Sequence, residues 1–171
     1  MSPLSEHAVI VRPARTEDVT AIRELIRSYT DDGRLLAKAQ VTLFEAVQEF
    51  VVAEQDGEVV GCGALHVMWE DLAEVRSLAV LPRLLGHGVG SAMLTTLLER
   101  ARAIGVTKVF CLTFEVAFFS RHGFIEIDST PVTHEVFQQM LQSYDEGVAE
   151  FLDLERVKPN TLDNHRLLLT L

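Results

Sequence analysis

A strand, a glycine-rich turn and a long helix follow one another directly between residues 73 and 104, and this succession limits the possible folds most strongly. The predicted helix, residues 88–104, has apolar side chains at helical spacing along one stripe, and Gly105 follows its end. Glycines let a ligand approach the backbone closely, and the N–H groups at a helix N-terminus attract anions. The segment therefore predicts a binding site for an anionic group such as a diphosphate.

Two other phosphate-binding patterns do not fit this turn. The P-loop pattern requires Gly-Lys-Ser/Thr, and the turn contains no lysine. The dinucleotide-binding pattern GxGxxG opens the first βαβ unit of a chain, whereas the sequence GHGVG at residues 86–90 has a different spacing and lies in mid-chain. A tight strand-to-helix connection that binds nothing stays open as the alternative.

Apolar periodicity and turn signals predict the other elements. The Asp-Gly pair at residues 56–57 predicts a hairpin turn, and the segment from Thr42 to Glu45 fits a capping box that opens a second helix. The predicted strands cover residues 9–11, 50–53, 59–65, 73–80, 108–114, 124–127 and 166–171. Besides helix 88–104 and the helix that opens at Thr42, the predicted helices cover residues 19–29, 116–122 and 133–144. This order predicts a single α+β domain over residues 1–171, with a central mixed, mostly antiparallel sheet flanked by helices.

Composition and charge narrow the possible partners. The formal net charge of −10 argues against nucleic acid, whose binding depends on basic patches. No apolar run approaches the roughly 20 residues that span a bilayer, and the N-terminal residues lack the pattern of a signal peptide. We therefore expect a cytoplasmic protein without a membrane partner. The two cysteines, Cys62 and Cys111, lie in apolar strands, which favours small buried residues over catalysis or metal binding, and no metal is expected.

Three segments resemble motifs of the GNAT acyltransferase superfamily, in the order that the family has them. RLLGHG at residues 83–88 is similar to the acyl-CoA loop pattern Gln/Arg-x-x-Gly-x-Gly/Ala. EVRSLAV at residues 74–80 resembles the family's fourth strand, which splays from the fifth so that pantetheine can lie between them. FFSRHGF at residues 118–124 resembles the later helix-to-strand motif that ends in Gly-Phe. The resemblance implies the GNAT fold and acetyl-CoA as the acetyl donor.

The resemblance also implies which residues bind the coenzyme. Backbone N–H groups of the turn would hold the diphosphate, the main chain of the preceding strand would pair with the pantetheine, and Arg83 would add positive charge. The implied coenzyme-binding residues are Leu78, Ala79, Val80, Arg83, Leu85, Gly86, His87, Gly88, Val89, Gly90, Ser91 and Phe119.

Direct acetyl transfer requires an amine that has lost its proton. A peptide α-amine has a pKa of about 7.7–8.0, and that of a free amino acid is higher, so a base must accept the proton. Glu74 is the candidate base because it lies on the strand beside the expected coenzyme, and amino-acid acetyltransferases that resemble this chain have glutamate there. The alternative is a surface glutamate paired with Arg76.

The acid that protonates the leaving thiolate is left unassigned. Many family members use a tyrosine in the helix before Gly-Phe, and the matching residue here is Phe119, which has no proton to give. The thiol then leaves as thiolate or takes its proton from water.

Four segments narrow the resemblance: GRLLAK at residues 33–38, CGAL at residues 62–65, the strand with Glu74, and KVFCLT at residues 108–113. Within the superfamily, they most resemble the amino-acid acetyltransferases of arginine biosynthesis, the N-acetylglutamate synthases. The resemblance implies transfer to the α-amino group of L-glutamate, with acceptor contacts from Lys38, Arg34, Arg76 and Asn164. Near the C-terminal strand, this sequence has an asparagine where the family has a basic residue. L-glutamine therefore stays open as the acceptor. For Lys38 and Arg34 the alternative is a solvated loop.

Two other functions stay open at this point. One keeps the coenzyme and changes the acceptor to a protein N-terminus, a polyamine or an antibiotic. The other is an acyl-CoA sensor without catalysis. A homodimer is expected by analogy with the family.

Overall fold

The computed structural model describes residues 8–30, 39–153 and 164–171. The strands are β1 (Ile10–Pro13), β2 (Phe50–Gln55), β3 (Glu58–Trp69), β4 (Leu72–Val80), β5 (Lys108–Thr113), β6 (Ile125–Glu126) and β7 (His165–Thr170). The α-helices are α1 (Val19–Thr30), α2 (Gln40–Glu45), α3 (Val89–Ala103), α4 (Val116–Arg121), α5 (His134–Met140) and α6 (Glu146–Phe151). Short 3-10 turns cover Thr16–Asp18, Val47–Glu49 and Pro82–Leu84.

The strands form a seven-stranded sheet in the order β1-β2-β3-β4-β5-β7-β6. The pairs β1–β2, β2–β3, β5–β7 and β6–β7 are antiparallel. Strands β4 and β5 run parallel, and their residue pairs extend from Leu72 with Lys108 to Glu74 with Phe110. The predicted mixed, mostly antiparallel sheet is confirmed.

The hairpin between β2 and β3 follows from its two turn residues. Asp56 and Gly57 both have a positive φ, 51° and 78°, which is the conformation that a two-residue type I′ turn requires. The turn sets the register in which Gln55 pairs with Glu58. The predicted Asp-Gly hairpin is confirmed.

Contacts between Cα atoms divide the described chain into two compact units, of which the first contains the described residues up to His66 and Val75–Ala101. Its main core lies between one face of the sheet and helices α1 and α2. The buried residues of that core are Val19, Ile22, Leu25, Ile26, Tyr29, Leu43, Phe50, Val52, Cys62, Ala64 and Ala79. On the other face α3 approaches β3 so closely that a Cβ on Gly61 would lie 2.7 Å from Met93 Cε.

The second unit contains Val67–Glu74 and the described residues from Arg102 onward. Its core consists of the buried residues Leu72, Phe110, Met140, Val148, Phe151 and Leu152. Arg166 supports the end of α6, because its guanidinium donates to the carbonyl oxygens of Glu150 at 3.0 Å and Phe151 at 2.8 Å.

Two predictions about helices were wrong. Helix α2 begins at Gln40 after an extended Ala39, so Thr42 lies inside the helix and makes no cap. The predicted helix 133–144 ends at Met140, and a separate helix, α6, follows. Thr133 and Asp145 each cap one of these helices, by accepting the N–H groups of Val136 and Val148. The chain thus turns between two capped helices where one was expected.

A partly buried ion-pair network fixes the start of α1. Arg12 donates to both carboxylate oxygens of Asp18, at 2.8 and 3.0 Å, and to Glu54 at 2.7 Å. The Asp18 side chain is 5% exposed and also accepts the Arg15 N–H at 2.7 Å. The hydrogen bonds from Arg12, followed by the one from the Arg15 backbone, lower the pKa of Asp18 although burial opposes this.

We expect Asp18→Asn to lower the free energy of unfolding by about 2 kcal/mol at neutral pH, because Arg12 loses the charged partner that accepts two of its hydrogen bonds and keeps Glu54. Since the pKa of Asp18 is lower in the folded than in the unfolded chain, this stabilisation is present above about pH 4 and is lost as the pH falls further. Urea denaturation at several pH values measures both effects.

The matched control is Glu17→Gln, which removes the neighbouring acid from an exposed pair with Arg15. It is expected to change the free energy of unfolding by less than about 0.5 kcal/mol. Equal losses in the two variants would contradict the role assigned to Asp18.

Candidate active site

The turn between β4 and α3 keeps its glycines in conformations that other residues avoid. Gly86 and Gly88 have φ values of 81° and 83°, and both are exposed. A Cβ on either glycine would meet nothing within 4 Å, so the backbone conformation, not crowding, requires glycine. The main chain of the turn is therefore open to a ligand.

Hydrogen bonds within the turn use two of its own N–H groups. The N–H of Leu85 donates to the Pro82 carbonyl at 3.2 Å, and the N–H of His87 donates to the Leu84 carbonyl at 3.2 Å. These two groups serve the turn itself. Helix α3 begins at Val89, and the N–H groups of its first turn have no acceptor within the helix. The N–H groups of Gly86, Gly88, Val89 and Gly90 therefore stay the candidate donors for an anion.

Arg83 lies on the 3-10 turn that precedes the glycines, and its side chain is exposed. Its Nη2 donates to Glu58 Oε2 at 3.1 Å, and Glu58 is the first residue of β3. The predicted cation thus lies on the turn, paired with a carboxylate from the β2–β3 hairpin.

The end of β4 is held from two sides. The hydroxyl of Tyr29, from α1, donates to the Val80 carbonyl at 2.5 Å, and the N–H of Leu81 donates to the Val60 carbonyl at 2.9 Å. Ala79 is buried in the core below α1 and α2, whereas Leu78 lies on the face toward Gly63. The predicted coenzyme strand is therefore anchored at the residue that leads into the turn.

Ser77 is a feature of this strand that sequence analysis missed. It has a φ of 56° in the middle of β4 and is 7% exposed. A serine rarely adopts this left-handed conformation within a strand, where it redirects the backbone groups that follow. Its carbonyl accepts a hydrogen bond from Cys62 Sγ at 3.3 Å. No sequence signal marks the position, because left-handed serines share no pattern.

Glu74, the candidate base, lies in the second unit and is 5% exposed. It is in register with Phe110 of β5. The alternative of a surface glutamate is therefore wrong, whereas Arg76, two residues later, is half-buried. The pKa of the Cys111 thiol is raised, first by the burial of Cys111 and second by the negative charge of Glu74.

The other predicted site residues fall in different places. Phe119 is buried in α4 and packs edge-to-face against Phe118 and Phe124, with ring centroids 5.1 and 5.2 Å away. Asn164 directly precedes β7, whose first residue pairs with the end of β5. Arg34 and Lys38 lie outside the described residues.

Within residues 8–30, 39–153 and 164–171, no three His, Cys, Asp or Glu side chains come together in a way that would hold a metal ion. In that part of the chain no helix is both long and apolar enough to cross a bilayer.

We expect neither cysteine of the native protein to react with Ellman's reagent at about pH 8, because the thiolate is the reactive form. Cys62 and Cys111 are 0% and 1% exposed, and burial raises the pKa of Cys62 to about 12. The denatured chain should release two equivalents of product, one for each cysteine. Rapid release of one equivalent by the native protein would contradict the burial of these thiols.

Comparison with known proteins agrees with this geometry. The sequence profile of the Acetyltransferase (GNAT) family matches residues 19–124. An amino-acid acetyltransferase from Mycobacterium tuberculosis is 58% identical over 166 residues, which cover 95% of this chain and 94% of that protein.

Solved structures extend the comparison to the fold. The crystal structure of a Mycobacterium tuberculosis protein in complex with CoA has a TM-score of 0.91 at 58% identity, over 95% of this chain and 99% of that one. N-acetylglutamate synthase from Neisseria gonorrhoeae, in complex with CoA and N-acetyl-glutamate, has a TM-score of 0.76 at 26% identity, over 96% of this chain and 35% of that one. The predicted fold and superfamily are confirmed: this chain belongs to the GNAT family of acetyltransferases, which use acetyl-CoA as the acetyl donor.

Proposed function

We propose that this protein transfers the acetyl group of acetyl-CoA to the α-amino group of a free amino acid, L-glutamate or L-glutamine. One observation carries the proposal: 58% identity to an amino-acid acetyltransferase along almost the full length of both chains. The proposal treats the chain as a single GNAT domain in the cytoplasm, acting in arginine biosynthesis and forming a homodimer.

The coenzyme is assigned to the turn and to the strand before it. The N–H groups of Gly86, Gly88, Val89 and Gly90 bind the diphosphate, because charge-assisted hydrogen bonds to a helix N-terminus suit an anion. The main chain of Leu78–Val80 pairs with the pantetheine. This assignment is supported by the positive φ of both turn glycines and by the internal hydrogen bonds that leave these donors to a ligand.

Glu74 is assigned as the general base. A carboxylate accepts a proton from the acceptor's ammonium group, directly or through water, and the neutral amine then attacks the thioester carbonyl. Burial supports this role, because glutamates are rarely buried and a buried carboxylate is often part of a functional site. Phe119 has no proton to donate, so the CoA thiolate leaves unprotonated or takes a proton from water.

The acceptor's carboxylates require cations in a protein whose net charge is −10. Arg34, Lys38 and Arg76 are assigned to them, with Asn164 facing the end of the acceptor's side chain. An asparagine pairs as well with an amide as with a carboxylate, which is the reason for naming glutamine beside glutamate.

The test is release of CoA thiol from acetyl-CoA with a panel of acceptors: the free amino acids, spermidine and a peptide with a free N-terminus. We expect turnover with glutamate or glutamine to exceed turnover with spermidine by more than about tenfold, because a polyamine is repelled by cations placed for carboxylates. Turnover with spermidine alone would overturn the proposal. Binding of acetyl-CoA without turnover on any acceptor would favour a sensor.

A further inference from the structure

No acidic residue lies close in sequence to the glycine turn. Residues 75–98 contain no Asp or Glu, although the chain as a whole has 25 of them. The acids that come nearest along the chain are Glu74 and Glu99, one at each end of this stretch. One acid from elsewhere in the sequence does come close to the turn: Glu58, on the β2–β3 hairpin, is hydrogen-bonded to Arg83.

The bond between Arg83 and Glu58 does little for stability. It is a single contact, Nη2 to Oε2 at 3.1 Å, between side chains that are 55% and 61% exposed. Exposed pairs of this kind stabilise a fold only weakly. The contact uses one of the five N–H donors of the guanidinium, and the rest of the group is available to a phosphate. The Glu58 carboxylate therefore lies beside the guanidinium that would also contact a phosphate.

We propose that Glu58 is a positioning residue that holds Arg83 and thereby weakens the binding of acetyl-CoA and CoA. The inference rests on the proposed function, in which a diphosphate occupies the turn beside Arg83. A bound diphosphate and the Glu58 carboxylate then share one guanidinium, and the two anions repel each other. The effect is the same for substrate and product, because both carry the diphosphate, so the spent coenzyme leaves more readily.

The test is calorimetric titration of CoA into the unmodified protein and into Glu58→Gln. We expect the Kd for CoA to fall at least about threefold in about 20 mM salt, and the difference to shrink in about 0.5 M salt, where exposed charges are screened. In kinetics, the KM for acetyl-CoA should fall while the KM for the amino acid stays unchanged. A residue that only stabilised the fold would not lower the KM for acetyl-CoA and leave the KM for the amino acid unchanged.

Two controls isolate the effect of Glu58. Asp56→Asn removes the same charge from the same hairpin, and asparagine tolerates its positive φ of 51°; its Kd should stay close to that of the unmodified protein. In an Arg83→Gln background, Glu58→Gln should no longer tighten binding. A Kd in Glu58→Gln equal to or higher than that of the unmodified protein would overturn the inference alone. Failure of the unmodified protein to bind CoA would instead contradict the proposed function.

Discussion

The Glu74→Gln variant is expected to turn over at least about 100-fold more slowly than the unmodified enzyme, because general bases contribute about 10²- to 10⁴-fold to a rate. Glutamine keeps the size of the side chain but removes its negative charge and its ability to accept the proton. Since Glu74 is buried, the change acts inside the protein and not at its surface. The loss should fall on kcat, with the Kd for CoA nearly unchanged.

The measurement is steady-state kinetics as a function of pH, with Glu70→Gln as the control. Glu70 is exposed in the turn before β4, so its replacement removes the same charge close by in sequence. In Glu74→Gln the remaining rate should rise with pH, because solution then supplies the neutral amine. An unchanged kcat in Glu74→Gln would remove this residue from the mechanism.

Gly88→Ala is expected to raise the Kd for CoA by at least about tenfold, since each hydrogen bond to a charged group contributes about 1.5–3 kcal/mol. At a φ of 83° an alanine is strained by about 1–2 kcal/mol. The turn relieves this strain by rotating its backbone, and the N–H groups at the start of α3 then point away from the diphosphate. The added methyl meets no other atom within 4 Å, so crowding does not explain a loss of binding.

Gly105→Ala is the control for backbone strain. Gly105 has a φ of 96°, is also uncrowded, and lies beyond the other end of α3. Both alanine variants should lower the Tm by similar amounts, whereas only Gly88→Ala should weaken CoA binding in a calorimetric titration. Equal Kd values for the two variants would mean that the turn does not hold the coenzyme.

Local chemistry made much of the fold predictable. The hairpin followed from the Asp56-Gly57 pair, and α3 followed from its apolar stripe and the glycine beyond its end. The start of α2 was not predictable in this way, because Ala39, which precedes the helix, provides no side-chain cap, and Thr42 lies within the helix. Helices α5 and α6 both contribute to the core that contains Phe110, a distant contact that no local pattern reveals.

The candidate site was predictable as far as main-chain geometry follows from residue type. Glycines at positive φ mark the turn, and the structure has them where the sequence placed the diphosphate. The bond from Tyr29 to Val80 joins segments that are distant in sequence, and no sequence signal marks the left-handed conformation of Ser77. The hydrogen bonds of Leu85 and His87 within the turn likewise do not follow from residue type.

The central claim is that the turn after β4 holds the diphosphate of coenzyme A, and calorimetric titration with CoA and with pantetheine tests it most directly. Pantetheine has the same thiol arm and no diphosphate. We predict that CoA binds at least about 100-fold more tightly than pantetheine, since the turn supplies several charge-assisted hydrogen bonds of about 1.5–3 kcal/mol each. Equal affinity for the two compounds, or no binding of CoA, would contradict the account.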